Sequence, residues 1–255
     1  MRTAGRPTLD AASRRSACGG VRSNGDRALT ETRFGLPLQR HIYERGGAPA
    51  AKPASEPRMK FSPGYLSRDE QSSLLEALRA ALVEAPLFTP TMPRTGKPFS
   101  VRMTNFGPLG WLSDQEGGYR YQATHPTTGR PWPAMPDILL RVWNEIGGYP
   151  APPEACLVNW YEPTARMGLH QDRDEQDLAA PVVSLSLGDT ALFRIGGAKR
   201  TDPTRSFRLC SGDAMALAAE SRLSFHGVDR IYPGTSTLLA SGGRINLTLR
   251  RVTKP

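Results

Sequence analysis

From Ala155 to Val252 the chain runs through short apolar stretches broken by glycine, proline and aspartate: "ACLVNWYEP", "PVVSLSLGDTALFRIGG", "RSFRLCSGDAMALA", "RLSFHGVDRIYPG" and "GGRINLTLRRV". Each is a short run, and turn residues stand between the runs. Several alternate with period two. In the last, Ile245, Leu247 and Leu249 alternate with Arg244, Asn246, Thr248 and Arg250. Successive side chains of a strand point to opposite faces, so this strand has one apolar and one polar face. Many short antiparallel strands without intervening helices restrict the fold to a barrel or a double-sheet jelly roll.

Ahead of this region the pattern changes. In "SRDEQSSLLEALRAALVEA" Ser67 precedes Glu70 by three residues, and Leu74, Leu75, Leu78, Ala81 and Leu82 follow at helical spacing. That is a capping box opening an amphipathic helix. "MPDILLRVWNEIGG" is entered through proline and stopped by glycine, and predicts a second helix. Between them, Phe88 to Pro133 is rich in proline, glycine and aromatics, with short strands such as "SVRMTN". The expected class is α+β, mainly β: a jelly roll with helices packed on one outer face. Residues 1–58 mix Arg, Gly, Ser, Ala and Pro without a period. They read as a disordered basic tail, or as a segment ahead of a later start at Met59. The ordered domain is expected over 59–255, with 67–150 supplying helical support and substrate recognition and 151–255 the jelly-roll core.

Composition narrows the partners. The formal net charge of +9 invites nucleic acid. Yet residues 1–60 hold 12 Lys and Arg against 5 Asp and Glu, whereas residues 61–255 hold 21 against 19. Most of the basic excess lies in the front segment, and charge alone does not make the rest a DNA binder. No apolar run approaches the roughly 20 residues of a bilayer span, and no secretory signal is expected, so no membrane partner is either. Cys18, Cys156 and Cys210 are far apart, with no CxxC pair. That spacing argues against a disulfide framework or a zinc ribbon, and for a cytoplasmic protein.

The chemistry concentrates in "NWYEPTARMGLHQDRDE", Asn159 to Glu175. Charged residues this dense usually form a solvated turn. In an extended segment, however, His170 and Asp172 point to the same side and aim an imidazole and a carboxylate at one point. A metal there needs a third ligand. The chain has four histidines. His41 lies in the tail, His125 in the loop "ATHPTTGRP", and His226 in the strand-like "SFHGV". Two imidazoles and one carboxylate with open positions form the facial triad of non-haem Fe(II) oxygenases. Such a site draws electrons from 2-oxoglutarate, whose free carboxylate suits the planar fork of an arginine. Arg244 and Arg250, on the polar face of the last strand, are placed to supply it. A non-catalytic β-barrel module with a structural metal stands as the distant alternative, although a structural metal needs no buried anion partner.

Together these segments resemble the AlkB family of Fe(II)/2-oxoglutarate-dependent dioxygenases, in its bacterial DNA-repair branch. The resemblance covers about residues 99–252 and includes "FSVRMTNFGPLGW", "GGYRYQATHPTTGRPWPAMP", the His-x-Asp segment, "GGAKRTDP", "ESRLSFHG" and "RINLTLR". It implies Fe(II) held by His170, Asp172 and His226, with 2-oxoglutarate and O2 as co-substrates. It implies a 2-oxoglutarate pocket lined by Asn159 and Tyr161 and closed by Arg244, Asn246 and Arg250. It places Met103, Trp111, Tyr119, Tyr121, Asp174 and Arg200 at the substrate. The implied partner is alkylated single- or double-stranded DNA, with RNA as an alternative, and the implied state is a monomer. The implied reaction is oxidative removal of methyl from 1-methyladenine or 3-methylcytosine, releasing formaldehyde. The rival is the same oxygenase acting on RNA, protein or another alkylated molecule. Two departures stand out: the spacing of "TSTLLASGG" before Arg244, and Ser224 where an aromatic is common.

Overall fold

The structure, a computed structural model, describes residues 59–255. The expectations for residues 1–58 lie outside the described residues. In chain order the elements are β1 (Lys60–Ser62), α1 (Arg68–Glu84), β2 (Arg102–Phe106), β3 (Gly110–Asp114), β4 (Gly118–Gln122) and α2 (Asp137–Val142). There follow β5 (Ala155–Tyr161), β6 (Met167–His170), β7 (Val182–Gly188), β8 (Thr190–Ile195), β9 (Arg205–Leu209), β10 (Ala214–Leu217), β11 (His226–Tyr232) and β12 (Arg244–Arg250). A six-stranded sheet has the order β1-β10-β7-β12-β5-β2 and a four-stranded sheet the order β6-β11-β8-β9, while β3 and β4 form a separate hairpin. All the pairings are antiparallel.

The helix begins as its sequence requires. Ser67 Oγ accepts from the Glu70 amide at 3.3 Å, and Glu70 accepts from the Ser67 amide at 2.8 Å. Two amides that the helix start leaves without partners are thereby satisfied. Leu74, Leu75, Leu78 and Ala81 are buried against the large sheet. The second predicted helix is α2 followed by a π-helical turn at Trp143–Gly147, closed by Gly148 at φ 62°. Trp143 from that turn is wholly buried in the same cluster.

The period-two pattern sorts the large sheet into two faces. Cys156, Val158, Leu185, Leu187, Ile245, Leu247 and Leu249 face the helices. Leu157, Tyr161, Val182, Met215 and Leu217 face the small sheet, where Phe193, Ile195, Val228 and Ile231 complete a second cluster. The apolar side of β12 thus packs on the helical layer, and its polar side is left for the interior between the sheets.

Two details differ from the sequence reading. "PVVSLSLGDTALFRIGG" is two strands, since β7 lies in the large sheet and β8 in the small one. The chain crosses at Gly188, whose φ of +84° and position against the Gly243 carbonyl exclude a side chain: a Cβ would lie 2.6 Å from that oxygen. The large sheet is also completed at its edges by β1 and β2, from outside the 151–255 stretch. No helix among the described residues is long and apolar enough to cross a membrane.

Candidate active site

His170 and His226, far apart in sequence, are direct partners where β6 pairs with β11. Gly227 makes this approach possible, because a Cβ there would lie 2.6 Å from the Met167 carbonyl and 2.9 Å from that of Gly168. Gly227→Ala is therefore expected to force the two histidine-bearing strands apart, lowering stability by about 1–3 kcal/mol and lowering metal affinity. Thermal unfolding with and without added metal measures both effects.

Asp172 lies two residues beyond the end of β6, and its carboxylate reaches both rings. Oδ1 is 3.7 Å from His170 Nε2, and Oδ2 is 3.7 Å from His226 Nε2. One ligand atom from each of the three residues lies within 4.8 Å of the others. Each imidazole is oriented in the same way. His170 Nδ1 sits 2.9 Å from the Gly168 carbonyl and His226 Nδ1 sits 2.9 Å from the Ser224 carbonyl. Facing a carbonyl, Nδ1 must donate, which leaves the Nε2 lone pair pointed at the shared centre. Burial, together with nearby His170, pushes His226 down to about 4, so it is a neutral ligand at ordinary pH. Burial alone would raise the Asp172 carboxyl, but Arg250 and the two imidazoles outweigh it and hold it well below the usual carboxylate range. Two imidazole nitrogens and one carboxylate, converging from one side, fit a ferrous ion with positions left open.

This centre opens into a cavity of about 460 Å³ between the sheets, whose lining includes Asn159, Tyr161, Arg244, Asn246 and Arg250. Arg244 is 1 % exposed. It donates to Ser186 Oγ at 2.7 Å, to the Leu209 carbonyl at 3.3 Å and to the Asp189 carbonyl at 3.5 Å. Its Nε has no partner, and no carboxylate lies within ion-pair distance of it among the described residues. Burial draws its pKa down to about 10, still charged. A buried guanidinium without a counter-ion is costly, so the cavity is built for an anion. Asn159 Oδ1 is likewise buried without a partner. Asn246 differs: its amide donates to Ser184 Oγ and the Leu185 carbonyl, and it stiffens the cavity wall.

Arg250 also lines the cavity, but the structure separates its work from that of Arg244. It donates to Asp172 Oδ1 at 2.8 Å and to the Tyr121 hydroxyl at 3.1 Å. Arg250 thus stands at the metal end and secures the carboxylate.

The β3–β4 hairpin forms one side of the mouth. Trp111 and Tyr119 stack with centroids 5.7 Å apart at 22°, and Tyr119 is 54 % exposed. The Trp111 indole donates to Asp174 at 2.9 Å. Met103, from β2, lies at the floor of the same cavity, and Arg200 sits at the rim, donating to the Leu169 carbonyl at 2.7 Å. Tyr121 departs from expectation. Its hydroxyl is committed to Glu175 and Arg250, and it does not line the cavity, so it supports the site instead of stacking on a base or holding a phosphate. His125 is elsewhere: its Nδ1 accepts the Thr127 and Thr128 amides while Nε2 faces the Pro86 carbonyl, which leaves it no ligand role. The altered "TSTLLASGG" loop is anchored by Asp189, which accepts the amides of Thr235, Ser236 and Gly243.

Glu175, Arg222 and Asp189 escape sequence reasoning. The acidic density of the 170–177 segment was the available signal. Its carboxylates have separate partners: Asp174 takes Trp111, Glu175 takes Tyr121 and Arg222, and Asp177 takes Tyr149.

A family profile described as "2OG-Fe(II) oxygenase superfamily" matches residues 58–250. A Caulobacter vibrioides protein named alpha-ketoglutarate-dependent dioxygenase AlkB homolog is 54% identical over 215 residues, covering 84% of this chain and 97% of that one. Shorter stretches match two named demethylases. DNA N(6)-methyladenine demethylase ALKBH1D of Arabidopsis thaliana is 42% identical over 38% of this chain and 24% of its own. tRNA demethylase abh1 of Schizosaccharomyces pombe is 34% identical over 39% of this chain and 36% of its own. The solved structure of OsALKBH1 superposes with a TM-score of 0.66 at 31% identity, covering 77% of this chain and 99% of that one. With its paired histidines, its aspartate and an anion-seeking cavity beside them, the chain belongs to the 2OG-Fe(II) oxygenase superfamily, in its AlkB branch, and takes Fe(II), 2-oxoglutarate and O2.

Proposed function

We propose that this protein removes methyl groups oxidatively from ring nitrogens of bases in nucleic acid. DNA carrying 1-methyladenine or 3-methylcytosine is the first substrate, and RNA the second. The observation that carries this reading is one cavity holding three things: a two-histidine, one-aspartate centre, an unpaired buried arginine, and a mouth walled by stacked aromatics beside a carboxylate. The names of two partial relatives, a DNA and a tRNA demethylase, support the substrate class.

Each group has a part. His170, Asp172 and His226 would hold iron, and Arg244 would receive the far carboxylate of 2-oxoglutarate, with Asn159 and Tyr161 beside it. When bound, iron, 2-oxoglutarate and oxygen supply the oxidation of methyl to hydroxymethyl, which leaves as formaldehyde. The lesion bases are cationic and pair poorly, so drawing one from its stack costs less than for a sound base. Trp111 and Tyr119 offer aromatic faces to that cation. Asp174, fixed by the Trp111 indole through one oxygen, keeps the other for an exocyclic amine. Met103 packs under the ring, and Arg200 at the rim meets a phosphate or base edge.

The test supplies iron, 2-oxoglutarate and oligonucleotides with or without 1-methyladenine, as single strands, duplexes and RNA. Formaldehyde is expected in step with succinate from methylated strands alone. Equal succinate from both strands with no formaldehyde would reject nucleic-acid demethylation. Release from RNA alone would move the substrate to RNA.

A further inference from the structure

Behind the centre lies a buried ring of charge in which Arg250 and Asp172 reach the cavity while Glu175 and Arg222 do not line it. Glu175, whose side chain is 0% exposed, faces two arginines. Its Oε2 accepts from Arg222 at 3.0 Å. Its Oε1 accepts the Tyr121 hydroxyl and stands 3.5 Å from Arg250 Nε. Both arginines then turn to Asp172: Arg222 donates to its backbone carbonyl, and Arg250 to its Oδ1. Arg222 also holds the Ala180 carbonyl at 2.7 Å.

Given His170, Asp172 and His226 as the iron ligands, we propose that Glu175 is a positioning residue for the metal. It fixes Arg222 and Arg250 so that they grip Asp172 from its main chain and from its carboxylate. The consequences are local and specific. Oδ1 is occupied by Arg250, so Oδ2, the oxygen nearer His226, is the one left to meet the metal. Arg222 stands four residues before His226 in sequence, so the same clamp ties the Asp172 segment to the segment that delivers the second histidine. Through Tyr121 it also reaches the hairpin that carries Trp111 and Tyr119. Two arginines against two carboxylates leave the ring neutral, which is what permits its burial.

Simple charge balance is the competing explanation, and two variants separate it from positioning. Glu175→Gln removes the charge that the arginines share. The double variant Arg222→Met, Glu175→Gln restores neutrality but leaves Asp172 held by Arg250 alone. Each is stripped of metal and titrated with Co(II), followed by calorimetry and by the visible absorption of the bound ion. Outer residues that orient metal ligands typically contribute about 10–100-fold in affinity. Positioning predicts at least about tenfold weaker cobalt binding in both variants, a changed cobalt spectrum, and a raised Fe(II) requirement that excess iron largely relieves. If Glu175→Gln is recovered unfolded, the double variant decides. Cobalt affinity and spectrum equal to wild type in the double variant would overturn the proposal and leave Glu175 as a counter-charge. Wild-type protein whose cobalt binding is unchanged by His170→Ala would overturn the metal assignment itself, a distinct result.

Discussion

Replacing His170 with alanine lowers formaldehyde release from a methylated strand by at least about a thousandfold, equivalent to about 4 kcal/mol of barrier, while the protein stays folded. The two halves of that expectation have different origins. Activity falls because, among the described residues, three side chains converge on the centre, and a metal with two protein ligands is held weakly and in no single orientation. The fold survives because the His170 side chain is 39% exposed, and its ring's one backbone contact is within its own strand. Asp172→Asn is the poorer experiment. It would leave Arg250 without its nearest counter-ion, and breaking a buried pair costs about 3–5 kcal/mol, so lost activity could reflect lost structure. Near-normal turnover by His170→Ala would remove that residue from the mechanism.

The second large effect is expected at Arg244→Met. The requirement for 2-oxoglutarate should rise about a hundredfold or more, as when one member of a buried charge pair is removed. The melting temperature of the co-substrate-free protein should change little. A guanidinium that bore structural load would have a carboxylate partner. Arg244 instead carries an unpartnered Nε and a pKa drawn down by burial. Deleting it removes an unpaired charge along with three modest hydrogen bonds, and the two losses oppose each other. An unchanged 2-oxoglutarate requirement with a sharply lowered melting temperature would recast Arg244 as a strut. Calorimetric titration and a thermal scan on the same sample suffice.

Much of this was legible in the sequence, because the relevant physics is local. Period two in "RINLTLR" does place four polar side chains on the inner face and three apolar ones on the helical layer. Ser67 and Glu70 do form the cap that their spacing requires. His-x-Asp does turn two ligands to one side, and the strand histidine meets them. What the sequence concealed depends on distance along the chain. No local pattern shows that Arg222 will meet Glu175 47 residues away, or that Tyr121 will spend its hydroxyl on a residue 54 positions on. The division of labour between Arg244 and Arg250 was equally hidden, since both lie on the same face of one strand and differ only in what the rest of the fold brings to them. The break in "PVVSLSLGDTALFRIGG" was marked by Gly188, yet only the nearby Gly243 carbonyl shows why that glycine changes sheets.

The most direct test is a crystal of the protein grown with Mn(II) in place of iron, and with 2-oxoglutarate, its metal located by anomalous scattering. One peak is expected, bonded to His170 Nε2, His226 Nε2 and a single Asp172 oxygen, with the keto acid reaching from that metal to Arg244. A metal bound anywhere else, or a co-substrate whose far carboxylate avoids Arg244, would contradict the account.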